Sequence, residues 1–253
     1  MKRILDYLLS IIYMVHFGAT LALFHVYQVI AFTLFGRKAQ KVAADHLNFS
    51  LTYGLLWTGA SIKFHQRAPI PTDRPLIFVA NHQSTYDIPG IGWFLRKYTP
   101  IYVSKIELAK GIPSVSYNLR KSQAALINRK DGKQAVTEIA RLARHIQEHN
   151  YSAVIFPEGT RTQSGIMKPF AVGGISTLLK RAPGALIVPL AIQGTGALNP
   201  TRGIFPLVSF SHLSWTTLEG IEPAGLTAEE VTNLAQNAIQ AELGFTGKIP
   251  SGK

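Results

Sequence analysis

Cysteine is absent from the 253 residues. That excludes a thiolate nucleophile, disulfide bridges and metal sites built on sulfur ligands. Charge is scarce as well. Asp, Glu, Lys and Arg make up 16% of the chain against 47% hydrophobic residues, where about a quarter charged is usual for a soluble domain. Carboxylates are the scarcest part of it: 14 Asp and Glu face 26 Lys and Arg, for a net charge of +12. Excess cation points to anionic partners, which include nucleic acid, acidic lipid and phosphorylated substrates. No nucleic-acid motif and no dense basic run accompany the charge, so membrane lipid is the expected partner and nucleic acid is not. Gly-x-Ser-x-Gly is missing too; the nearest approach, Gly174-Ile175-Ser176-Thr177-Leu178, lacks the second glycine, so no serine nucleophile of that type is expected.

What the chain does have is a long apolar run. Between residues 7 and 36 there is no Asp, Glu, Lys or Arg. The run exceeds the apolar core of a secretory signal and no small-residue cleavage site follows it; as a helix it is long enough to cross a bilayer, which takes about 20 residues. Its polar members, Ser10, His16, Thr20, His25, Gln28 and Thr33, do not gather on one face of a helical wheel. A lipid-embedded helix, spanning or re-entrant, therefore fits better than a surface-lying amphipath, with a core helix of a soluble domain as the other reading. Arg37, Lys38 and Lys41 close the run with cations suited to anionic headgroups. A second helix is expected over 39–64, with Leu47, Leu51 and Leu55 on one stripe and Tyr53 and Trp57 at an interface. The segment 68–73, with Pro69 and Pro71, breaks the pattern. The chain thus divides into an N-terminal hydrophobic two-helix membrane element, 1–68, and a second domain, 69–253.

In that second domain strand and helix patterns alternate, which predicts an α/β fold with a mostly parallel or mixed sheet covered by helices. Candidate strands are 75–80, 101–104, 124–128, 153–157 and 186–192, with a further one near 215–219. A helix is expected from Asp131 to about His149, burying Val136, Ile139, Ala143 and Ile146. Another opens on a capping box at Thr227-Ala228-Glu229-Glu230, buries Val231, Leu234, Ala235 and Ala238, and stops at Gly244.

Two of these strands run into polar turns. Leu76–Ala80 leads into Asn81-His82-Gln83-Ser84-Thr85-Tyr86-Asp87. Residues five apart lie about 140° apart around a helix, so His82 and Asp87 meet only if His82 sits in the turn and Asp87 on the helix after it. Such a turn aims the imidazole off the strand's carboxyl end, where open α/β sheets hold their ligands. A carboxylate on one ring nitrogen fixes the tautomer and leaves the other nitrogen as a general base. Residues 153–156 likewise lead into Pro157-Glu158-Gly159-Thr160-Arg161, a glycine beside a carboxylate, a hydroxyl and a guanidinium.

NHQSTYD followed by FPEGTR resembles the lysophosphatidic acid acyltransferase (1-acylglycerol-3-phosphate O-acyltransferase) family of glycerolipid acyltransferases. The resemblance covers about residues 70–195. It implies transfer of an acyl group from acyl-CoA or acyl carrier protein, as donor substrate and without a cofactor or metal, to a lysophospholipid hydroxyl in phospholipid biosynthesis. The acceptor implied is 1-acylglycerol-3-phosphate and the product phosphatidic acid, with another lysolipid such as a lyso-aminolipid as the alternative. It assigns catalysis to His82 and Asp87 and acceptor binding to Glu158, Gly159, Thr160 and Arg161, to Arg129 in Ala125-Leu126-Ile127-Asn128-Arg129, and to Lys105. It places Leu186–Leu190 near the acyl chain. It also implies a membrane-associated enzyme whose catalytic domain faces the cytoplasm. The chain departs from the family pattern at Asn128, where an acidic residue is more common, and at Ala171, where lysine commonly follows Pro-Phe. Two rival readings are a zinc peptidase built on His145-Ile146-Gln147-Glu148-His149, an H-x-x-E-H pattern for which the sequence offers no third ligand, and a non-enzymatic protein that binds membrane surfaces.

Overall fold

The structure is a computed structural model that describes residues 1–162, 167–200 and 204–244. Helix α1 (Lys2–Gly54) is broken at Gly36, whose φ of 76° and ψ of −165° turn the chain back on itself. A residue with a Cβ pays for that backbone geometry, so glycine stands at the hairpin tip. The two arms run antiparallel. Gln40 Nε2 donates to Gln28 Oε1 at 2.9 Å, Thr20 Oγ1 meets Ser50 Oγ at 3.0 Å, and Tyr13 Oη donates to the Leu51 carbonyl at 3.3 Å.

This arrangement corrects the helical-wheel reading of residues 7–36. Ser10, Thr20 and Gln28 are buried, His16 and His25 are half-buried, and Thr33 is exposed. The polar residues that look scattered on the wheel turn inward because the second arm and the sheet domain supply their hydrogen bonds. Leu8, Ile11, Val15, Leu23, Val26 and Ile30 face outward instead. The first arm is thus apolar toward its surroundings, and toward the protein it sets polar residues among the buried Tyr13, Leu21 and Ala31.

The second arm is shorter than expected. It ends at Gly54, a single 3-10 turn follows, and Gly59 (φ 73°) leads into strand β1 (Ser61–Gln66). Residues 61–64, expected as helix, are strand. Ile62 and Phe64 alternate with Lys63 and His65, a period of two that pairing with a distant strand realises. The other strands are β2 (Leu76–Ala80), β3 (Pro100–Lys105), β4 (Ala125–Ile127), β5 (Ser152–Ile155), β6 (Leu186–Gln193) and β7 (His212–Thr217). Their order is β1-β7-β6-β2-β5-β3-β4. Strands β6, β2, β5, β3 and β4 are mutually parallel, and β7 pairs antiparallel with β6 and parallel with β1. The mixed α/β sheet expected from the sequence is the one present. Because β1 belongs to it, the expected division at 68 falls between two strands of one sheet.

Every residue of β2 is buried, and alternate residues serve opposite cores. Ile77 and Val79 join the core with Leu119 of α3 (Val115–Lys121), Ile139, Leu142 and Ile146 of α4 (Gly132–His149), Ile175 and Leu178 of α5 (Val172–Arg181), and Val231 and Ile239 of α7 (Ala228–Glu242). Leu76, Phe78 and Ala80 join the other core, with Tyr13 of α1, Ile91 of α2 (Asp87–Phe94), Leu198 of α6 (Thr195–Leu198) and Trp215 of β7. Both faces are therefore covered, as a parallel sheet requires. The helix stripes differ from the expected ones at Val136 and Leu234, both exposed, while Leu142 and Ile239 are buried. Both helices begin as predicted. Asp131 accepts from the Gln134 amide at 3.0 Å, and Thr227 and Glu230 form the reciprocal capping box. Gly244, with φ +77°, sits just past the end of α7.

Gly90 separates helix propensity from core geometry. A Cβ at this position would lie 2.3 Å from Cε2 of the fully buried Trp215. In an open helix Gly→Ala is stabilising by about 1 kcal/mol. Here Gly90→Ala is expected to destabilise, by about 1–3 kcal/mol as overpacking does. Denaturant unfolding of detergent-solubilised protein measures the sign; a stabilised variant would mean that α2 does not rest against the indole.

Candidate active site

His82 lies in the turn after β2 and Asp87 is the first residue of α2, the placement the five-residue interval requires. The imidazole Nδ1 is 2.7 Å from Asp87 Oδ2. That oxygen also accepts from the backbone amides of Gln83 at 2.8 Å and Ser84 at 3.0 Å, and Oδ1 accepts from the Thr195 hydroxyl. Asp87 is fully buried, whereas the His82 side chain keeps 16% of its surface. The surrounding donors fix the position of the Asp87 carboxylate. It therefore orients His82 with the Nδ1 hydrogen toward itself. Nε2 has no partner among the described residues and is the atom left to work.

The ring is held from one side by Phe156, with centroids 4.2 Å apart and planes 27° apart. Phe156 follows β5, next to β2 in the sheet. The backbone of His82 is clasped as well: its N–H donates to Glu158 Oε1 at 2.7 Å, and its carbonyl accepts from the Thr162 amide at 2.8 Å. Glu158 Oε2 accepts from the Thr162 hydroxyl and from the Lys168 amide at 2.9 Å. At 9% exposure, with both oxygens engaged, Glu158 is a clasp between the two motifs and not an open contact for an acceptor. Gly159 adopts φ +70°, which lets the turn reverse directly after that carboxylate. On the other side of β2, Asn81 bridges to β6, donating to the Ile192 carbonyl and accepting from its amide, both at 2.8 Å.

Arg161 is exposed and its Nη1 donates to the Thr85 hydroxyl at 2.7 Å. It thereby spans from one motif to the other at the mouth of the site. Thr160 accepts from the Lys168 ammonium at 2.6 Å, so a second cation stands nearby. The structure brings His82, Asp87, Glu158, Gly159, Thr160 and Arg161 together. Lys105 and Arg129 lie on the same carboxyl edge but end β3 and follow β4, two and three strands from β2. At about 4.8 Å per strand their backbones stand roughly 10 and 14 Å away. Partial burial of the Arg129 guanidinium lowers its pKa, opposed by Glu107. Residues that sequence reasoning missed are Thr195, Asn81, Phe156, Trp215 and Lys168. Trp215 donates to the Asp87 carbonyl at 3.1 Å from a strand more than a hundred residues distant, and no local pattern signals it.

His145 and His149 belong elsewhere. They end α4 beside Tyr151, which precedes β5, and so stand at the amino edge of the sheet, opposite His82. Glu148 joins them, with ligand atoms of all three within 4.8 Å of one another. All three come from the one H-x-x-E-H stretch of α4, and among the described residues no ligand group from another element joins them.

Comparisons with known proteins place the chain among acyltransferases. A family model described as Acyltransferase matches residues 61–193. An uncharacterized acyltransferase of Schizosaccharomyces pombe is 28% identical over 90% of this chain and 84% of its own length. A 1-acyl-sn-glycerol-3-phosphate acyltransferase of Haemophilus influenzae is 29% identical over 72% of this chain and 74% of its own. The crystal structure of a 1-acyl-sn-glycerophosphate acyltransferase from Thermotoga maritima superposes with a TM-score of 0.81 at 22% identity, covering 99% of this chain and all of that one, and shows the same fold. The class is therefore an α/β enzyme of acyl transfer. The chain belongs to the acyltransferase family, the one that NHQSTYD and FPEGTR resemble.

The clasp yields a test. Glu158→Ala strands the His82 and Lys168 amides and the Thr162 hydroxyl, each buried unsatisfied group costing about 1–3 kcal/mol. Turnover is expected to fall steeply with little change in KM for the acceptor, and Glu158→Gln, which keeps an acceptor for the His82 amide, should retain more activity. Steady-state kinetics on both variants decides. A pure KM effect would mean that Glu158 meets the acceptor instead.

Proposed function

We propose that this enzyme moves a fatty acyl group from an acyl-CoA or acyl carrier protein thioester to the free hydroxyl of 1-acylglycerol-3-phosphate, forming phosphatidic acid. The observation that carries the reading is the buried His82–Asp87 pair with Nε2 free beside the exposed Arg161. The hydroxyl oxygen attacks the thioester carbonyl while His82 Nε2 takes its proton. The C–O bond forms, the C–S bond breaks, and the imidazolium returns the proton to the departing thiolate. Asp87 stabilises the imidazolium in between. The thioester carries its own good leaving group, so a covalent enzyme intermediate is not needed.

Arg161 is the acceptor's phosphate ligand in this proposal, with Lys168 beside it. A guanidinium offers a rigid, permanently charged fork to phosphate oxygens. Thr85 is its neutral partner, which leaves the charge uncompensated for the phosphate. Gly159 and Thr160 shape the turn that presents it. Lys105 and Arg129 extend the cationic edge for longer polar ligands.

The first arm of α1 brings the acceptor to this site. Its outward apolar stripe lies in one leaflet, its inward polar residues stay bonded to the protein, and the catalytic face looks to the cytoplasm, where thioester donors are made. An acceptor that never leaves the membrane keeps its chain burial, worth about 0.8 kcal/mol per CH₂.

Acyl transfer measured with a panel of lysolipids tests the assignment. His82→Ala is expected to lose roughly 10²–10⁴-fold in rate, the usual worth of a general base; residual activity within a few-fold of the parent would remove His82 from the chemistry. Arg161→Ala should raise KM for the phosphorylated acceptor about ten- to a hundredfold and leave the donor's KM nearly unchanged. An equal loss with a phosphate-free lysolipid would reassign Arg161 and favour the other acceptor class. A third variant, Leu23→Lys with Ile30→Lys, should keep the fold and lose stable vesicle attachment, since each leucine or isoleucine withdrawn from lipid forfeits roughly 1.5–3 kcal/mol. Unchanged cosedimentation with vesicles would place the membrane contact on another surface.

A further inference from the structure

A cavity of about 370 Å³ opens on the far side of the protein from His82. It is lined by Arg37 and Lys38 at the start of the second arm of α1, by Gln40 and Asn118 deeper in, and by His145 and Tyr151 from the sheet domain. Thr99 and Pro100, also on its wall, lie just before and at the start of β3, so it stands at the amino edge of the sheet. That is about a strand's length, roughly 15 Å at 3.3 Å per residue, from the carboxyl edge that carries the catalytic pair.

Its polar equipment is uneven. Arg37 and Lys38 are exposed at the mouth, and neither has a carboxylate partner among the described residues. With the Gln123 amide turned so that its oxygen faces the guanidinium, Arg37 donates to it at 2.7 and 3.1 Å, a neutral contact that leaves the charge uncompensated. The acid in the wall, Asp45, is taken by Lys41 at 2.6 Å, and burial raises its pKa. Deeper in, Gln40 Nε2 donates to Asn118 Oδ1 at 3.1 Å. His145 is 9% exposed and its buried Nε2 has no hydrogen-bond partner. Such an orphan is costly unless something supplies the missing bond. Burial, the neighbouring His149 and Arg37 hold the His145 pKa down, so at neutral pH the ring is an uncharged donor or acceptor.

We propose that this cavity is a second anion site, separate from the His82 cleft, that takes the phosphate headgroup of an anionic membrane lipid. Unpaired cations at the mouth and an unpartnered buried imidazole inside match a phosphate that brings both charge and several acceptor oxygens. The volume falls in the range of small-molecule sites, about 300–1,000 Å³. The choice of a lipid over a soluble phosphate comes from position. Arg37 follows the hairpin tip, and the apolar stripe of the first arm ends there at Leu34 and Phe35, which are 67% and 72% exposed. A lipid whose chains lie along that stripe has its headgroup at Arg37 and Lys38. Only this choice of source rests on the membrane-enzyme reading; the anion site does not.

Titration calorimetry on the full chain in zwitterionic detergent tests it, with dihexanoyl phosphatidic acid, dihexanoyl phosphatidylcholine and inorganic phosphate as probes below their aggregation limits. The protein carries His82→Ala and Arg161→Ala, so turnover and binding at the catalytic cleft do not contribute, and failure of the acyl-transfer reading leaves the result interpretable. Saturable binding of phosphatidic acid is expected, weakened about tenfold or more by adding Arg37→Gln with Lys38→Gln. Both residues are exposed, so the fold does not depend on them. Adding His145→Phe should also weaken it, with unfolding checked by circular dichroism. Affinity unchanged in the Arg37/Lys38 variant, or no saturable binding, overturns the site. Phosphatidylcholine binding as tightly as phosphatidic acid overturns its selectivity for anionic headgroups. Inorganic phosphate binding as tightly as the lipid overturns the lipid assignment.

Discussion

The buried carboxylate of Asp87 is the constraint on which much else in this protein depends. A charge with no exposed surface is tolerable only when nearly every lone pair is met. Here the Gln83 and Ser84 amides, the Thr195 hydroxyl and the His82 imidazole meet it. Those donors come from the turn after β2 and from the end of β6, so satisfying one carboxylate joins two neighbouring strands at their carboxyl ends. Trp215 secures the same residue through its backbone carbonyl and fills the space that Gly90 leaves open. The geometry of the His82–Asp87 pair and the seating of α2 on the core are thus one problem with one solution.

Glu158 performs the complementary task across β5. Its position in a motif that binds acceptor in the resembled family suggested an outward role, but its oxygens are spent on the His82 amide, Thr162 and Lys168. The division of labour at the site follows from burial. The carboxylates, Asp87 and Glu158, face inward and hold backbone; the cations, Arg161 and Lys168, stay at the exposed rim. An enzyme with 14 acids against 26 bases can place its few site carboxylates inside and still present a positive surface.

The first arm of α1 is apolar on both faces and keeps several of its polar residues inside. Ordinary surface helices turn apolar residues inward, yet this arm buries Ser10, Thr20 and Gln28 and exposes Leu8, Leu23 and Ile30. Inside, each polar group finds a specific partner on the second arm or the sheet domain, which fixes how the arms register. Tyr13 anchors the assembly in the same core as Phe78 and Trp215. The apolar element is therefore built into the fold and is not a detachable tail, and its orientation relative to the catalytic edge is set by that anchoring.

Residues 76–87 and 153–161 carried most of what was legible in the sequence. A five-residue apolar run that ends in a polar turn reads as a buried strand, and a histidine followed at five residues by an aspartate meets it only across a strand–turn–helix junction; those are local rules, and both held. The capping box at Thr227 and the helix start at Asp131 held for the same reason, since the groups that satisfy a helix end lie within a few residues of it. Tertiary structure decided the rest. Strand β1 is too short and too mixed to declare itself without β7 beside it. The inward face of α1 exists only because a glycine folds the helix back to give its polar residues partners. The role of Glu158, the bond from Thr195 and the contact from Trp215 each need residues far apart in the chain to meet. A sequence states which groups must be satisfied; which distant groups satisfy them is settled when the sheet assembles, because burial is what makes an unmet hydrogen bond expensive.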